Sequence, residues 1–100
     1  MCTLTNKIFQ GEREYIYTYQ IVEKEILSED KKNRLNYGIK IDVEIIEGKQ
    51  LEFQYNNVME NISSDINVVK GFINKICRYC VSPINMSEVI EDLIVQTVKI

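Results

Sequence analysis

Along the first sixty residues of this chain, apolar side chains recur at every second position. Tyr37, Ile39, Ile41, Val43 and Ile45 alternate with Lys40, Asp42 and Glu44, and Leu51, Phe53 and Tyr55 continue the rhythm. Beyond residue 60 the spacing changes to three and four: Ile66, Val69, Ile73, Ile76 and Cys80, then Met86, Val89, Ile90 and Leu93. A period of two belongs to a strand with one dry face, and a period near 3.6 to an amphipathic helix. The pattern predicts an α+β fold. Its parts are an antiparallel meander of three strands, or four if the N-terminal segment joins, and a two-helix hairpin packed on one sheet face. Neither half can bury its apolar side alone, so residues 1–100 read as a single domain.

Residues 1–13 read either as an edge strand carrying Leu4 and Ile8 or as a frayed end, with Gly11 marking a turn. The sheet is expected over 14–57. Tyr15, Tyr17, Tyr19 and Ile21 share one face of its first long strand, while Ile16, Thr18, Gln20 and Val22 occupy the other. Residues 28–36 are charged and nearly free of large apolar groups, which predicts an exposed loop. For the next hairpin, parity favours Ile45 opposite Leu51, Val43 opposite Phe53 and Ile41 opposite Tyr55. That register calls for a three-residue loop, Glu47-Gly48-Lys49.

The helical hairpin is expected over 63–98. Ser63-Ser64-Asp65 offers the oxygen acceptors that satisfy a first helical turn, and Lys75 and Arg78 suit the negative end of the dipole. Pro83 forbids this helix beyond about residue 81. The second helix starts either behind a Ser82 cap with Pro83 at its first position, or at Asn85, which has capping-box spacing to Glu88; it runs to about Val98. Gly71 is unfavourable by roughly 1 kcal/mol against alanine unless something packs closely there.

Composition narrows the partners. At 45% hydrophobic and 27% charged, the chain is an ordinary globular one. Its net charge is −3, and its densest basic group, Lys31, Lys32 and Arg34, directly follows Glu29 and Asp30, so no nucleic-acid partner is expected. No apolar run approaches the ~18 residues that span a bilayer, and the N-terminus lacks a hydrophobic signal core; a cytoplasmic setting without membrane contact is the expectation.

Candidate chemistry is sparse. There is no histidine, and three cysteines, Cys2, Cys77 and Cys80, are the only thiols. Cys77-Arg78-Tyr79-Cys80 has the spacing of a thiol pair. It falls in the last turn of a helix, however, where the dipole disfavours a thiolate, and one chain is a ligand short of a structural zinc unless a dimer pools two pairs. Glu88, Glu91 and Asp92 share one helical face, as a solvated surface or a docking patch. Tyr15, Tyr17 and Tyr19 form a stripe that Tyr37, Phe53 and Tyr55 would continue, as a core edge or a contact surface. These features predict a non-enzymatic protein-interaction or regulatory module without a cofactor. It would act on an unidentified protein partner through the acidic helix face, the sheet face bearing Lys40, Asp42 and Glu44, or an edge strand, and a homodimer is conceivable through an unprotected edge. The alternative is a thiol- or metal-dependent sensor using Cys77 and Cys80.

Three segments carry a resemblance: Tyr37-Gly38-Ile39, Ser82-Pro83-Ile84 and Val89-Ile90-Glu91-Asp92-Leu93. Over roughly residues 37 to 95 the chain resembles a family of small proteins from clostridia and related spore-forming Firmicutes, grouped as a domain of unknown function. The family pattern places a histidine after Ser-Pro-Ile, where this chain has Asn85. Asparagine replaces histidine sensibly at a helix start and poorly in catalysis. The resemblance implies a bacterial cytoplasmic setting and no particular activity.

Overall fold

The computed structural model describes residues 3–27 and 33–98. Four strands, β1 (Thr3–Gln10), β2 (Arg13–Leu27), β3 (Asn33–Glu47) and β4 (Gln50–Ser63), precede two helices, α1 (Ile66–Arg78) and α2 (Met86–Val98). The sheet order is β1-β2-β3-β4 and every neighbouring pair is antiparallel. The N-terminal segment is therefore the fourth strand. Of the loop expected over 28–36, residues 33–36 lengthen β3; the remainder, with Lys31, Lys32 and Cys2, lies outside the described residues.

The β3–β4 hairpin corrects the expected register. Glu47 pairs with Gln50 and Ile46 with Leu51, so the loop is the two residues Gly48 and Lys49. Ile45 then pairs with Phe53 and Val43 with Tyr55, leaving Glu52 as an extra residue on β4. A two-residue loop alone would put Ile45 opposite Glu52. The bulge restores the parity that the apolar pattern demands, two residues further along than a three-residue loop would give. Gly48 (φ 63) and Gly11 (φ 62) each occupy the first central position of a two-residue turn and are its only positive-φ residue, the type II′ pattern that suits strand twist.

A second irregularity lies where β4 passes Gly38. Ile39 pairs with Met59 but Tyr37 with Ser63, and Asn61 takes a left-handed φ of 58. Asparagine tolerates that region better than most residues. The β4 backbone here presses on Gly38: a Cβ at that position would collide with the Met59 carbonyl oxygen and lie 2.8 Å from the Glu60 Cα. The glycine of the Tyr37-Gly38-Ile39 segment is thus a site of close backbone approach.

Both helices pack on one face of the sheet. Asp65 is the N-cap of α1, its Oδ1 accepting from the Asn67 amide at 2.9 Å, while Ser63 Oγ accepts from the Asp65 amide at 3.0 Å. At the other end, the Cys80 amide donates to the Cys77 carbonyl and the Val81 amide to the Ile76 carbonyl, a Schellman closure that stops the helix before Pro83 is reached. At α2 the Asn85 alternative holds: the Asn85 carbonyl accepts from the Val89 amide at 3.1 Å. Tyr19, Ile21, Ile39, Ile41 and Val43 from the sheet meet Val69, Phe72, Ile73, Ile76, Met86 and Ile90 from the helices. Length decides what this core covers. Fifteen-residue strands reach about 50 Å and thirteen-residue helices about 20 Å, in a molecule of 54 × 31 × 19 Å. The helices therefore cover the middle of the sheet and leave both ends projecting.

Candidate functional site

Three polar side chains on the helix-facing side of the sheet hold the connection between the helices. Asn6 on β1 donates from Nδ2 to the Cys77 carbonyl and lies 3.4 Å from Cys80 Sγ. Tyr19 on β2 donates from its hydroxyl to the Val81 carbonyl at 3.0 Å, and Asn57 on β4 donates to the Pro83 carbonyl at 3.1 Å. Leu4, Tyr19, Ile41 and Asn57 are partners on successive strands. Residues 77–83 accordingly cross the sheet from its β1 edge to its β4 edge, tied down on the way. Of these anchors only Tyr19 belongs to a visible stripe; Asn6 and Asn57 carry no signal in a strand pattern, because their partners are carbonyls brought over the sheet by the helices.

The thiols sit at the β1 end of this crossing. Cys77 and Cys80 are both half-buried, and Cys80 adopts a left-handed φ of 52, where glycine is the usual residue. Among the described residues, no three metal-ligating side chains cluster.

The tyrosine stripe is divided. Tyr19 is fully buried, whereas Tyr17 and Tyr15, nearer the turns, are half-buried. Burial pushes the Tyr19 phenol well up from the ordinary tyrosine value, with the nearby Cys80 and Cys77 as lesser causes, and desolvation likewise raises Tyr17. Tyr17 continues across the sheet to Val43 and Tyr55, and Tyr15 to Ile45 and Phe53, whereas Tyr37 lies towards the opposite end. Tyr15 and Tyr17 share a shallow depression of about 160 Å³ with Ile8 and Gln10.

That end of the sheet extends past the helices and carries exposed apolar side chains on both faces. Phe53, 57% exposed, packs its ring on Tyr55 at 5.5 Å on the helix-facing side. On the other side one row across the strands runs Phe9 (70% exposed), Glu14, Ile46 and Leu51 (53%). An ion pair between Arg13 and Glu47 at 3.7 Å lies beside the turns on the helix-facing side; the bond to Tyr15, then Glu47, holds the guanidinium pKa above its ordinary value. The sheet face bearing Lys40, Asp42 and Glu44 carries no helix, and Lys40 and Asp42 lie 3.9 Å apart on it.

The acidic residues are exposed on α2. Asp92 enters a groove of about 400 Å³ between the helices, with Lys75, Arg78 and Tyr79 on the α1 side and Val89, Leu93 and Gln96 on its own. Glu88 and Glu91 point to solvent, and among the described residues no salt bridge joins the three acids to α1. Surface pairs of that kind contribute at most ~1 kcal/mol, so the helices are set by their shared core. No helix among the described residues is long and apolar enough to cross a membrane.

Nothing among the curated proteins or the solved structures matches the chain. A family model does, over residues 1–96, nearly the whole length rather than the C-terminal half alone. The Tyr37-Gly38-Ile39 contact, the N-terminal strand and the anchored connector all fall within that span. The chain belongs to the family of unknown function DUF6514.

Proposed function

We propose that this protein is a non-enzymatic regulatory module that works by docking a protein partner on the turn end of its sheet. One observation carries the reading: the sheet runs past its helices and leaves Phe53 more than half exposed beside Tyr55, in one row with Ile45 and Tyr15, which opens on the depression at the β1 side. An exposed aromatic that continues into half-buried ones across a sheet is a usual anchor of an interface. The partner element is apolar at its centre and leaves Arg13 and Glu47 at the rim. The chemistry elsewhere supports the same reading. No charged side chain is buried among the described residues, so the acids have no desolvated cleft in which to act as proton donors or acceptors. The resemblance to proteins of clostridia and related Firmicutes supports a bacterial cytoplasmic setting.

The test is co-purification from a native extract with wild-type protein and with Phe53→Ser, whose exposed position leaves the fold intact. A stoichiometric partner recovered by the wild type and lost from the variant is the expected result. Recovery undiminished by Phe53→Ser would remove this surface from the reading, and no partner at any growth stage would remove the reading itself.

A thiol-dependent sensor is the second reading, favoured by the left-handed Cys80, since backbone strain is retained most often where a side chain has work to do. Loss of regulation in Cys77→Ser and Cys80→Ser proteins of unchanged stability would establish it.

A further inference from the structure

The two edges of the sheet are not alike. β4 is poorly suited to pairing with another strand. It carries the Glu52 bulge and the break near Gly38, Asn61 is left-handed, and the Val58 amide is taken at 2.9 Å by the Oδ1 of Asn57. Such irregularities are how edges are kept from pairing. β1 has none of them. It runs in uninterrupted register with β2 from Thr3 to Gln10, contains no proline, and has a single charge, Lys7.

The β1 sequence is also its own complement. Read antiparallel about Asn6, Leu4 falls opposite Ile8, Thr5 opposite Lys7 and Thr3 opposite Phe9. This register keeps the helix-facing residues Leu4, Asn6 and Ile8 on one side in both copies, so the pleats match. It also keeps the two lysines apart, whereas a shift by one turn of the pleat would set Lys7 against Lys7. Leu4 and Ile8 are only half-buried in one chain, and Phe9 is 70% exposed. Just above the edge, between the two cysteines that Asn6 contacts, Tyr79 is 73% exposed.

We propose that the protein forms a two-fold homodimer by antiparallel pairing of β1 with β1 of a second copy, centred on Asn6, to give one continuous eight-stranded sheet. This goes beyond the partner-docking reading and does not depend on it: that reading is anchored by Phe53 on β4, at the opposite edge, and the two surfaces meet only at Ile8 and Gln10. An isologous contact of this kind closes on itself and leaves only the blunted β4 edges outermost. The Asn6 contacts bring the Cys77–Cys80 segment of each copy towards the same axis.

The experiment compares the molar mass of wild type, Thr5→Lys and Thr5→Glu by light scattering and sedimentation across the micromolar range. Thr5 is exposed on the sheet face without helices, and neither substitution disturbs the core. The wild type is expected at twice 11.7 kDa. Thr5→Lys places like charges opposite one another twice and should fall to 11.7 kDa, whereas Thr5→Glu forms two Glu–Lys pairs and should remain dimeric. Amide exchange should show β1 protected in wild type and Thr5→Glu and unprotected in Thr5→Lys. A monomeric wild type overturns the dimer. Two variants that both stay dimeric place the contact elsewhere, and two that both dissociate overturn the Asn6-centred register.

Discussion

The hydroxyl of Tyr19, on a fully buried side chain of β2, donates to the Val81 carbonyl at 3.0 Å. A sheet residue thereby satisfies a carbonyl of the helix connection in the middle of the core. Tyr19→Phe keeps the ring and removes the donor. An unsatisfied buried carbonyl costs about 1–3 kcal/mol, and urea unfolding at neutral pH should register a loss of that size with the m-value unchanged.

The same residue predicts an alkaline limit. Burial raises the Tyr19 pKa, so the folded state holds a proton that the unfolded chain releases from about pH 10. The stability linked to the neutral phenol is complete below that pH and declines as pH rises above it. Wild type should therefore lose unfolding free energy above about pH 10 more steeply than Tyr19→Phe. Tyr17, also raised, contributes in the same direction in both proteins. Parallel curves would show that the Tyr19 hydroxyl does not couple to folding.

Gly38→Ala should be among the most damaging single changes. The obstacles to a Cβ are the Met59 carbonyl and the Glu60 Cα, both backbone, and neither can rotate away as a side-chain tip would. Overpacking usually costs 1–3 kcal/mol and more where relief requires moving a strand, so a loss of about 3 kcal/mol is expected. A urea midpoint close to that of wild type would mean that β4 can lift away from Gly38.

How far the chain could be read in advance follows from where each feature stores its information. Alternation along 37–46 and the three–four spacing after Ile66 are local, and both produced the elements observed. The β4 strand past Asn57 leaves no mark in the pattern, because Asn56, Asn57 and Asn61 resemble a loop until pairing with β3 is known. The hairpin register failed for a related reason. A two-residue turn plus a bulge gives the same parity as a three-residue turn, and periodicity alone cannot separate them. At the candidate surface, Tyr15, Tyr17 and Phe53 were visible as a stripe, but not that the helices are too short to cover them. Asn6 and Asn57 gave no signal, since their acceptors lie more than twenty residues away in sequence.

Gly71 offers the opposite test to Gly38. It is exposed within α1, and a Cβ there would meet nothing within 4 Å. The close packing that would justify a glycine is absent at this position. Gly71→Ala should stabilise by about 0.5–1 kcal/mol, by lowering the entropy of the unfolded chain and restoring helix propensity. For a domain of this size that is a rise of roughly 2–8 °C in melting temperature. A fall instead would reveal that the backbone at Gly71 is used by something outside the monomer.

Cys80 closes α1 at the position where helices most often place glycine, with φ 52. Side chains with a Cβ pay about 1–2 kcal/mol for the left-handed region, and part of that is returned because glycine is freer when unfolded. Weighed against this relief is the contact between Cys80 Sγ and Asn6 Nδ2 at 3.4 Å, for which sulfur is a weak acceptor. Asn6 also keeps its bond to the Cys77 carbonyl when the thiol is gone. Backbone relief should therefore prevail, and Cys80→Gly is expected to raise stability by about 0.5–1 kcal/mol in thermal or urea unfolding. If Cys80→Gly is destabilised while Cys80→Ser is not, the sulfur position is structural; if Cys80→Gly is more stable yet loses regulation in cells, the strained thiol is kept for its chemistry.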